Sequence, residues 1–185
     1  MKVTLLGDSI RQIGYGTKVP ELLGEGFEVF QPKENCRFAK YTLRGLFDWR
    51  EAMKDSDIIH WNNGLWDVCN LFGNGTFSSD EEYVADMLRI AEILVKRAKI
   101  VIFATTTPVL PMHPYNKNSD IERFNALIVP KLRAMGIRIN DLYTTMASDL
   151  DEYILGTDLI HLTPKGIDVC ARQVADAILE AAKEI

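Results

Sequence analysis

Short apolar segments alternate with longer segments of helical periodicity along most of the chain. The strand-like segments are residues 2–7, 27–31, 57–61, 99–105 and 137–140. The helix-like segments are residues 17–25, 42–54, 80–98, 119–135 and 164–183. Strands separated by helices form parallel sheets, and right-handed crossovers place the helices on both faces. The alternation therefore predicts an α/β protein, a three-layer α/β/α sandwich around a five-stranded parallel sheet of the flavodoxin-like type.

Two of the predicted helices carry clear start signals. Ser79 followed by Glu82 has the spacing of a capping box. Thr163 and Pro164 are typical of an N-cap and the first helical position. After Ser79, apolar residues recur at helical spacing and predict the buried face: Tyr83, Met87, Ile90, Ala91 and Leu94.

Length and charge restrict the classes of protein that the chain can belong to. With 185 residues and no linker or repeat, the sequence predicts one domain over residues 1–185. The formal net charge is −5, and the Lys and Arg residues are scattered. Binding to nucleic acid needs a clustered basic face, so we expect no nucleic-acid partner.

The compartment follows from the first residues and from the cysteines. The apolar stretch in MKVTLLGDS is too short for a signal peptide or a membrane span, so we expect no membrane association. Cys36, Cys69 and Cys170 are odd in number, far apart and without Cys-x-x-Cys spacing. We therefore expect a reduced, cytoplasmic protein.

The first predicted strand runs directly into Gly7, Asp8 and Ser9. One interpretation is a simple turn in which Asp8 or Ser9 caps the next helix. The alternative is that Ser9 is exposed at the carboxyl end of a central strand, where open α/β sheets bind their ligands.

Asp158 and His161 lie three residues apart, just before the last predicted helix. On a turn, this spacing lets the carboxylate reach the imidazole and fix its tautomer, as a hydrolytic base requires. The alternative is that Asp158 is a turn residue and His161 is a packed or capping side chain.

Taken together, GDSI at 7–10 and DLIHLTPKG at 158–166 resemble the two ends of the GDSL or SGNH hydrolases. In that family the first block carries the nucleophilic serine, and the last block is Asp-x-x-His. The segment 123–141 also resembles the family's stretch before the last strand. The sequence has no Gly-x-Ser-x-Gly elbow, and GDSIRQIGYG is not a nucleotide-binding Gly-x-Gly-x-x-Gly loop.

The resemblance implies a single SGNH hydrolase domain that acts without metal or cofactor. Ser9 is then the nucleophile, His161 the general base and acid, and Asp158 the carboxylate that orients His161. Asp8 is expected to hold the turn by hydrogen bonding.

The second block of the family, which supplies a glycine N–H to the oxyanion hole, is altered here. The corresponding region reads NCRFAKYT at 35–42, and Lys40 or Ala39 stands near the expected glycine. Any residue except proline can donate its backbone N–H, so the resemblance still implies a donor at this position.

The third block, Gly-x-Asn-Asp in the family, reads NNGLWD here. Gly64 and Asp67 match its ends, but Trp66 stands at the asparagine position. Either Asn63 supplies the side-chain donor from upstream, or the Trp66 indole N–H does. We expect Asn63, although a purely structural role for both side chains is an open alternative.

Two long connections, 62–79 and 106–118, are expected beside the site. His60 and His113 lack the spacing of metal ligands, so we expect no metal and interpret them as sheet and loop residues. Aromatic residues in or near the first connection can line a pocket or belong to the core: Trp61, Trp66, Phe72 and Phe77. Three residues of the second can contact substrate or solvent: Tyr115, Asn116 and Asn118.

The expected function is cleavage of carboxylic esters through an acyl-enzyme on Ser9. The loops mix Asn, Trp and Tyr and contain no long apolar lid, which favours a small-molecule substrate with a short acyl group on a polar alcohol, such as an acetylated sugar. The alternatives are a thioesterase or lysophospholipase, or a member of the family that binds acylated ligands without turning them over.

Overall fold

The fold is described from a computed structural model that covers residues Met1–Ile185. Its strands are β1 (Lys2–Leu6), β2 (Glu28–Phe30), β3 (Ile58–Trp61), β4 (Ile100–Ala104) and β5 (Arg138–Asn140). They form one parallel sheet in the order β2-β1-β3-β4-β5. This is the flavodoxin-like order, in which ligands bind outside the carboxyl ends of the strands where the strand order reverses.

Seven α-helices connect and flank the strands. They are α1 (Val19–Leu23), α2 (Ala39–Asp48), α3 (Asp80–Leu94), α4 (Asn118–Ala134), α5 (Leu142–Ala147), α6 (Leu150–Tyr153) and α7 (Pro164–Ala182). On one side of the sheet α3 packs between α2 and α4, and on the other side α7 packs against α1 and α5. The predicted three-layer α/β/α fold with a five-stranded parallel sheet is confirmed.

The sheet centre and the inner helix faces form one apolar core. β3 is completely buried, as are four of the five residues of β1, because helices cover both faces of a parallel sheet. On α3, the five apolar residues predicted from their spacing are the buried ones. The capping box of Ser79 and Glu82 is present with both of its hydrogen bonds, and Thr163 caps α7 ahead of Pro164.

The short helical segments were not predicted. A π-helix over Ile10–Gly14 and a 3₁₀ turn over Tyr15–Thr17 follow β1, and α5 and α6 precede the last loop. These segments have three to six residues, too few to show a hydrophobic period. Both α5 and α6 begin after a typical N-cap residue. The Asp141 side chain accepts the Thr144 N–H, and the Asp149 side chain accepts the Glu152 N–H.

The two long connections are joined to each other above the sheet. Asn70 N–H donates to the Tyr115 carbonyl at 2.8 Å, and the Asn116 amide donates to the Leu65 carbonyl at 2.8 Å. Leu110 N–H also donates to the Leu159 carbonyl at 2.8 Å, next to the predicted catalytic pair. These contacts bring connections 62–79 and 106–118 to the carboxyl edge of the sheet.

No helix combines the length and the apolar character that a bilayer span requires.

Candidate active site

Ser9 lies at the point where β1 turns into the π-helix. Asp8 is fully buried, and its Oδ1 accepts the Ile10 N–H at 2.9 Å, so Asp8 holds the turn as predicted. A Cβ on Gly7 would lie 2.0 Å from Asn62 Oδ1, and this close approach excludes any larger residue. The Ser9 hydroxyl does not cap the helix, and the Ser9 N–H has no acceptor within the protein. Both groups are therefore available to a ligand.

Asp158 and His161 form a hydrogen-bonded pair on the loop before α7. Asp158 Oδ2 lies 2.9 Å from His161 Nδ1. Asp158 Oδ1 accepts the backbone N–H groups of His161 at 2.9 Å and Ile160 at 3.1 Å. Partial burial raises the pKa of Asp158, but these bonds outweigh it and the pKa is lowered. An ionised Asp158 holds the proton of neutral His161 on Nδ1 and leaves Nε2 free to accept one.

Ser9 and His161 line one pocket of about 470 Å³, although no hydrogen bond joins their side chains. Most of its wall is apolar and comes from the two long connections and the segments beside them: Phe38, Leu65, Trp66, Leu71, Phe77 and Ile160. A second pocket of about 360 Å³ lies against the same Ser9, Asp158 and His161, with walls from the π-helix and the start of α7. The structure thus brings the three predicted residues to one place.

Asn63 does not face the pocket, and the prediction that its side chain supplies the oxyanion donor is wrong. Its side chain is completely buried and does not line the pocket. Asn63 Oδ1 accepts the Trp61 indole N–H at 2.6 Å, and Nδ2 donates to the Arg37 carbonyl at 2.9 Å. Asn63 instead fixes the chain where β3 ends.

Trp66 is the member of the third block whose side chain reaches the pocket. It is 41% exposed and lines the same pocket as Ser9. Its indole N–H has no partner within the protein. Gly64 is buried with φ of 147°, and a Cβ there would lie 2.0 Å from Thr106 Oγ1. Gly64 is therefore required for close packing, and it does not line the pocket.

The prediction that Lys40 or Ala39 supplies the second donor is also wrong. The Ala39 N–H is already bound to both carboxylate oxygens of Asp67, at 3.1 Å each. Because this contact starts α2 at Ala39, three residues earlier than predicted, Lys40 lies exposed on the first turn and away from the pocket. Arg37 has the left-handed backbone conformation that favours glycine, with φ of 52°. The next residue, Phe38, lines the pocket, and its N–H has no acceptor within the protein.

The structure separates the remaining candidates. Trp61 is fully buried against Phe103, so it belongs to the core, whereas Phe77, Tyr115 and Asn116 line the pocket. Phe72 is exposed and does not line it, and the Asn118 side chain bonds both backbone groups of Val109. His60 is a buried sheet residue, and burial lowers its pKa to about 3. Three further residues line the pocket without having been predicted to do so: Asn35, Cys69 and His113.

Asp8 and Asp67 are buried carboxyl groups, and the pKa of each is raised. Burial raises the pKa of Asp8 to about 6, despite the Ile10 N–H and the Arg11 charge. Burial also raises the pKa of Asp67 to about 7, although Ala39 N–H and the Ser78 hydroxyl donate to its carboxylate. No group of three or more His, Cys, Asp or Glu side chains is arranged to hold a metal ion.

Comparison with known proteins identifies solved structures that share the fold of this chain. No protein-family model matches the sequence, and no curated protein matches it significantly. An acetyl xylan esterase, AlAXEase, shares 22% identity at a TM-score of 0.77, covering 98% of this chain and 99% of its own. Axe2, an acetylxylan esterase from Geobacillus stearothermophilus, shares 17% at 0.74, covering 94% and 91%. A GDSL-like lipase from Bacteroides thetaiotaomicron shares 19% at 0.73, covering 97% and 88%. The chain shares the fold of these proteins, and the predicted α/β/α architecture agrees with it.

The pKa of Asp67 yields a prediction about stability. Between about pH 4 and pH 7 the folded protein binds the Asp67 proton more tightly than the unfolded chain, so the free energy of unfolding falls as pH rises. Asp67→Asn removes this proton, and we expect a flatter dependence, with the slope due to Asp8 remaining. Urea unfolding of both proteins across this range measures the difference. The exposed Asp55→Asn is the control, and an Asp67→Asn curve parallel to that of the parent would contradict the prediction.

Proposed function

We propose that the protein hydrolyses carboxylic esters through an acyl-enzyme on Ser9. The observation that carries the proposal is the Asp158–His161 pair, joined at 2.9 Å, which lines the pocket of about 360 Å³ together with Ser9, whose hydroxyl is free. The fold neighbours support it. Two further structures of the Geobacillus esterase are described as catalytic mutants, one with a serine and one with a histidine replaced by alanine.

In the proposed reaction, Ser9 Oγ attacks the ester carbonyl carbon while its proton passes to His161 Nε2. The tetrahedral intermediate collapses when the bond to the alcohol oxygen breaks and His161 returns the proton to that oxygen. A water molecule then attacks the acyl-enzyme, again losing its proton to His161, and the acid and free Ser9 are released. Asp158 keeps the imidazole oriented and stabilises its protonated form throughout.

Three N–H groups are proposed to stabilise the negative oxygen of the intermediate. The Ser9 and Phe38 backbone N–H groups both lack acceptors in the protein, and both residues line the pocket. The Trp66 indole N–H is the side-chain donor on the same wall. The largely apolar surroundings strengthen such hydrogen bonds, because little water competes for the charge.

The proposed substrate is a small-molecule ester with a short acyl group, an acetylated carbohydrate being the first choice. The acetyl xylan esterases among the fold neighbours support an acetyl group on a sugar. The free thiols of Cys36, Cys69 and Cys170 support the proposal that the protein works in a reducing compartment such as the cytoplasm.

One observation favours a second candidate, an esterase for longer acyl chains such as a lysophospholipase or thioesterase. The pocket of about 470 Å³ is much larger than an acetyl group requires, and its wall is mostly apolar. The loops were expected to mix Asn, Trp and Tyr without a long apolar lid, but the wall that they form is mostly apolar. A GDSL-like lipase among the fold neighbours supports the same alternative.

Replacing the proposed nucleophile tests the reaction itself. We expect Ser9→Ala to lower kcat for p-nitrophenyl acetate by about 10⁴-fold or more while the melting temperature stays near that of the parent. A fluorophosphonate probe should label the parent but not this variant. Ser148→Ala, an exposed serine outside the pocket, is the control. Activity of Ser9→Ala within tenfold of the parent would rule out the acyl-enzyme, and an unlabelled, inactive parent would indicate a binding protein.

Replacing Trp66 tests the side-chain donor. Trp66→Phe keeps most of the ring but removes the N–H, so we expect kcat to fall by about 10²-fold with little change in KM. Trp49→Phe is the matched control, because Trp49 packs against Gly45 on α2, outside the pocket. A near-normal kcat for Trp66→Phe would mean that backbone groups alone form the oxyanion hole.

A series of p-nitrophenyl esters separates the two substrate candidates. For a short-chain esterase, we expect kcat/KM to be highest for the acetate or butyrate and to fall for the octanoate. Longer chains must order more rotatable bonds on binding. Rates with Ser9→Ala correct for spontaneous hydrolysis. A maximum at the octanoate would favour the second candidate.

A further inference from the structure

The connection 106–118 places His113 in the wall of the pocket that Ser9 and His161 share. The His113 N–H donates to the Leu110 carbonyl at 3.0 Å, and the Leu110 N–H donates to the Leu159 carbonyl at 2.8 Å. The turn that carries His113 is thus bonded directly to the loop that carries Asp158 and His161. The backbone at His113 therefore has a fixed position relative to that loop.

Hydrogen bonds to one ring nitrogen define the state of the His113 side chain. His113 Nδ1 accepts the N–H of Asn116 at 2.9 Å and the N–H of Tyr115 at 3.3 Å. A nitrogen that accepts carries no proton, so the neutral ring has its N–H at Nε2. Burial lowers the pKa of His113, and the nearby His161 charge lowers it further while Asp158 raises it. Nε2 has no partner within the protein and is free to donate.

The position of His113 indicates which part of a substrate it meets. His113 and His161 line the same pocket, and the turn of His113 is hydrogen-bonded to the loop that carries Asp158 and His161. His161 must hand its proton to the alcohol oxygen of the ester, so the alcohol portion of the substrate lies beside His161. Most of the remaining wall is apolar, and the Asn116 amide is already bound to the Leu65 carbonyl.

From these contacts, and resting on the proposed ester hydrolysis, we infer that the Nε2–H of His113 binds an oxygen in the alcohol portion of the substrate. The chemistry that fits is a hydroxyl or ether oxygen close to the ester, as in the esters of polyols and sugars. His113 then determines specificity for the alcohol and takes no part in the proton transfers.

Two esters of matched shape test this inference. Ethylene glycol monoacetate and propyl acetate differ in having a hydroxyl or a methyl group at the end of the alcohol. His113→Asn keeps an oxygen at the position of Nδ1 for the N–H groups of Tyr115 and Asn116, but it lacks the donor at Nε2. We expect the ratio of kcat/KM for the glycol ester to that for propyl acetate to fall by about three- to tenfold. His113→Gln, whose amide N–H reaches the position of Nε2, should retain most of the ratio.

His113→Phe provides a second variant that keeps the ring and lacks the donor, in case His113→Asn does not fold. An unchanged ratio in either folded variant would overturn the inference. An equal fall in kcat/KM for both esters would also overturn it, because that pattern reports only a displaced loop. A parent that hydrolyses p-nitrophenyl esters but neither of these two acetates would overturn the inference alone, whereas a parent that hydrolyses none of these esters would refute the proposed function as well.

Discussion

The parallel pairing of β1 with β3, which aligns Leu6 with Trp61, controls the geometry of the whole site. It sets the turns that follow the two strands side by side, so closely that Asn62 Oδ1 fills the space of a side chain at Gly7. One strand turn presents Ser9, and the other is fixed through the Asn63 carbonyl, which accepts bonds from Tyr83 and Thr106. The backbone direction at Ser9 therefore depends on a buried contact between two strand ends, and the exposed loops only add the walls.

Local patterns were sufficient to predict most of the fold, whereas the roles proposed for Ser9, Asp158 and His161 also required the family resemblance. The five strands, the capping box at Ser79 and the start of α7 each depend on residues that are close together in the sequence. Asp158 and His161 are likewise three residues apart, and a short loop can bring them into contact. Only the approach of Ser9 to this pair is long-range. The family resemblance, and not the spacing of the residues, predicted that Ser9 lies beside the pair.

The residues around the oxyanion hole could not be predicted because distant contacts decide them. Asp67 binds the Ala39 N–H from 28 residues away and starts α2 three residues early, which moves Lys40 to the surface. Asn63 is polar and comes just after β3, which suggested a place beside the site. Its amide, however, is hydrogen-bonded at one end to Trp61 and at the other to Arg37. His113 and Asn35 reach the pocket from loops with no periodic pattern. The only signal for His113 was the unusual length of its connection, and the only signal for Asn35 was its place in the altered second block.

The hydrogen bonds between the two long connections have a consequence for any exchange of loops with a related fold. Asn70 is bonded to Tyr115 and Asn116 to Leu65, so each connection supplies part of the backbone support of the other. A graft of residues 106–118 alone would leave the Leu65 carbonyl without its donor amide and the Asn70 N–H without its acceptor. The two connections therefore form one transplantable unit, and altering the pocket by recombination requires moving both together while the sheet and Ser9 stay in place.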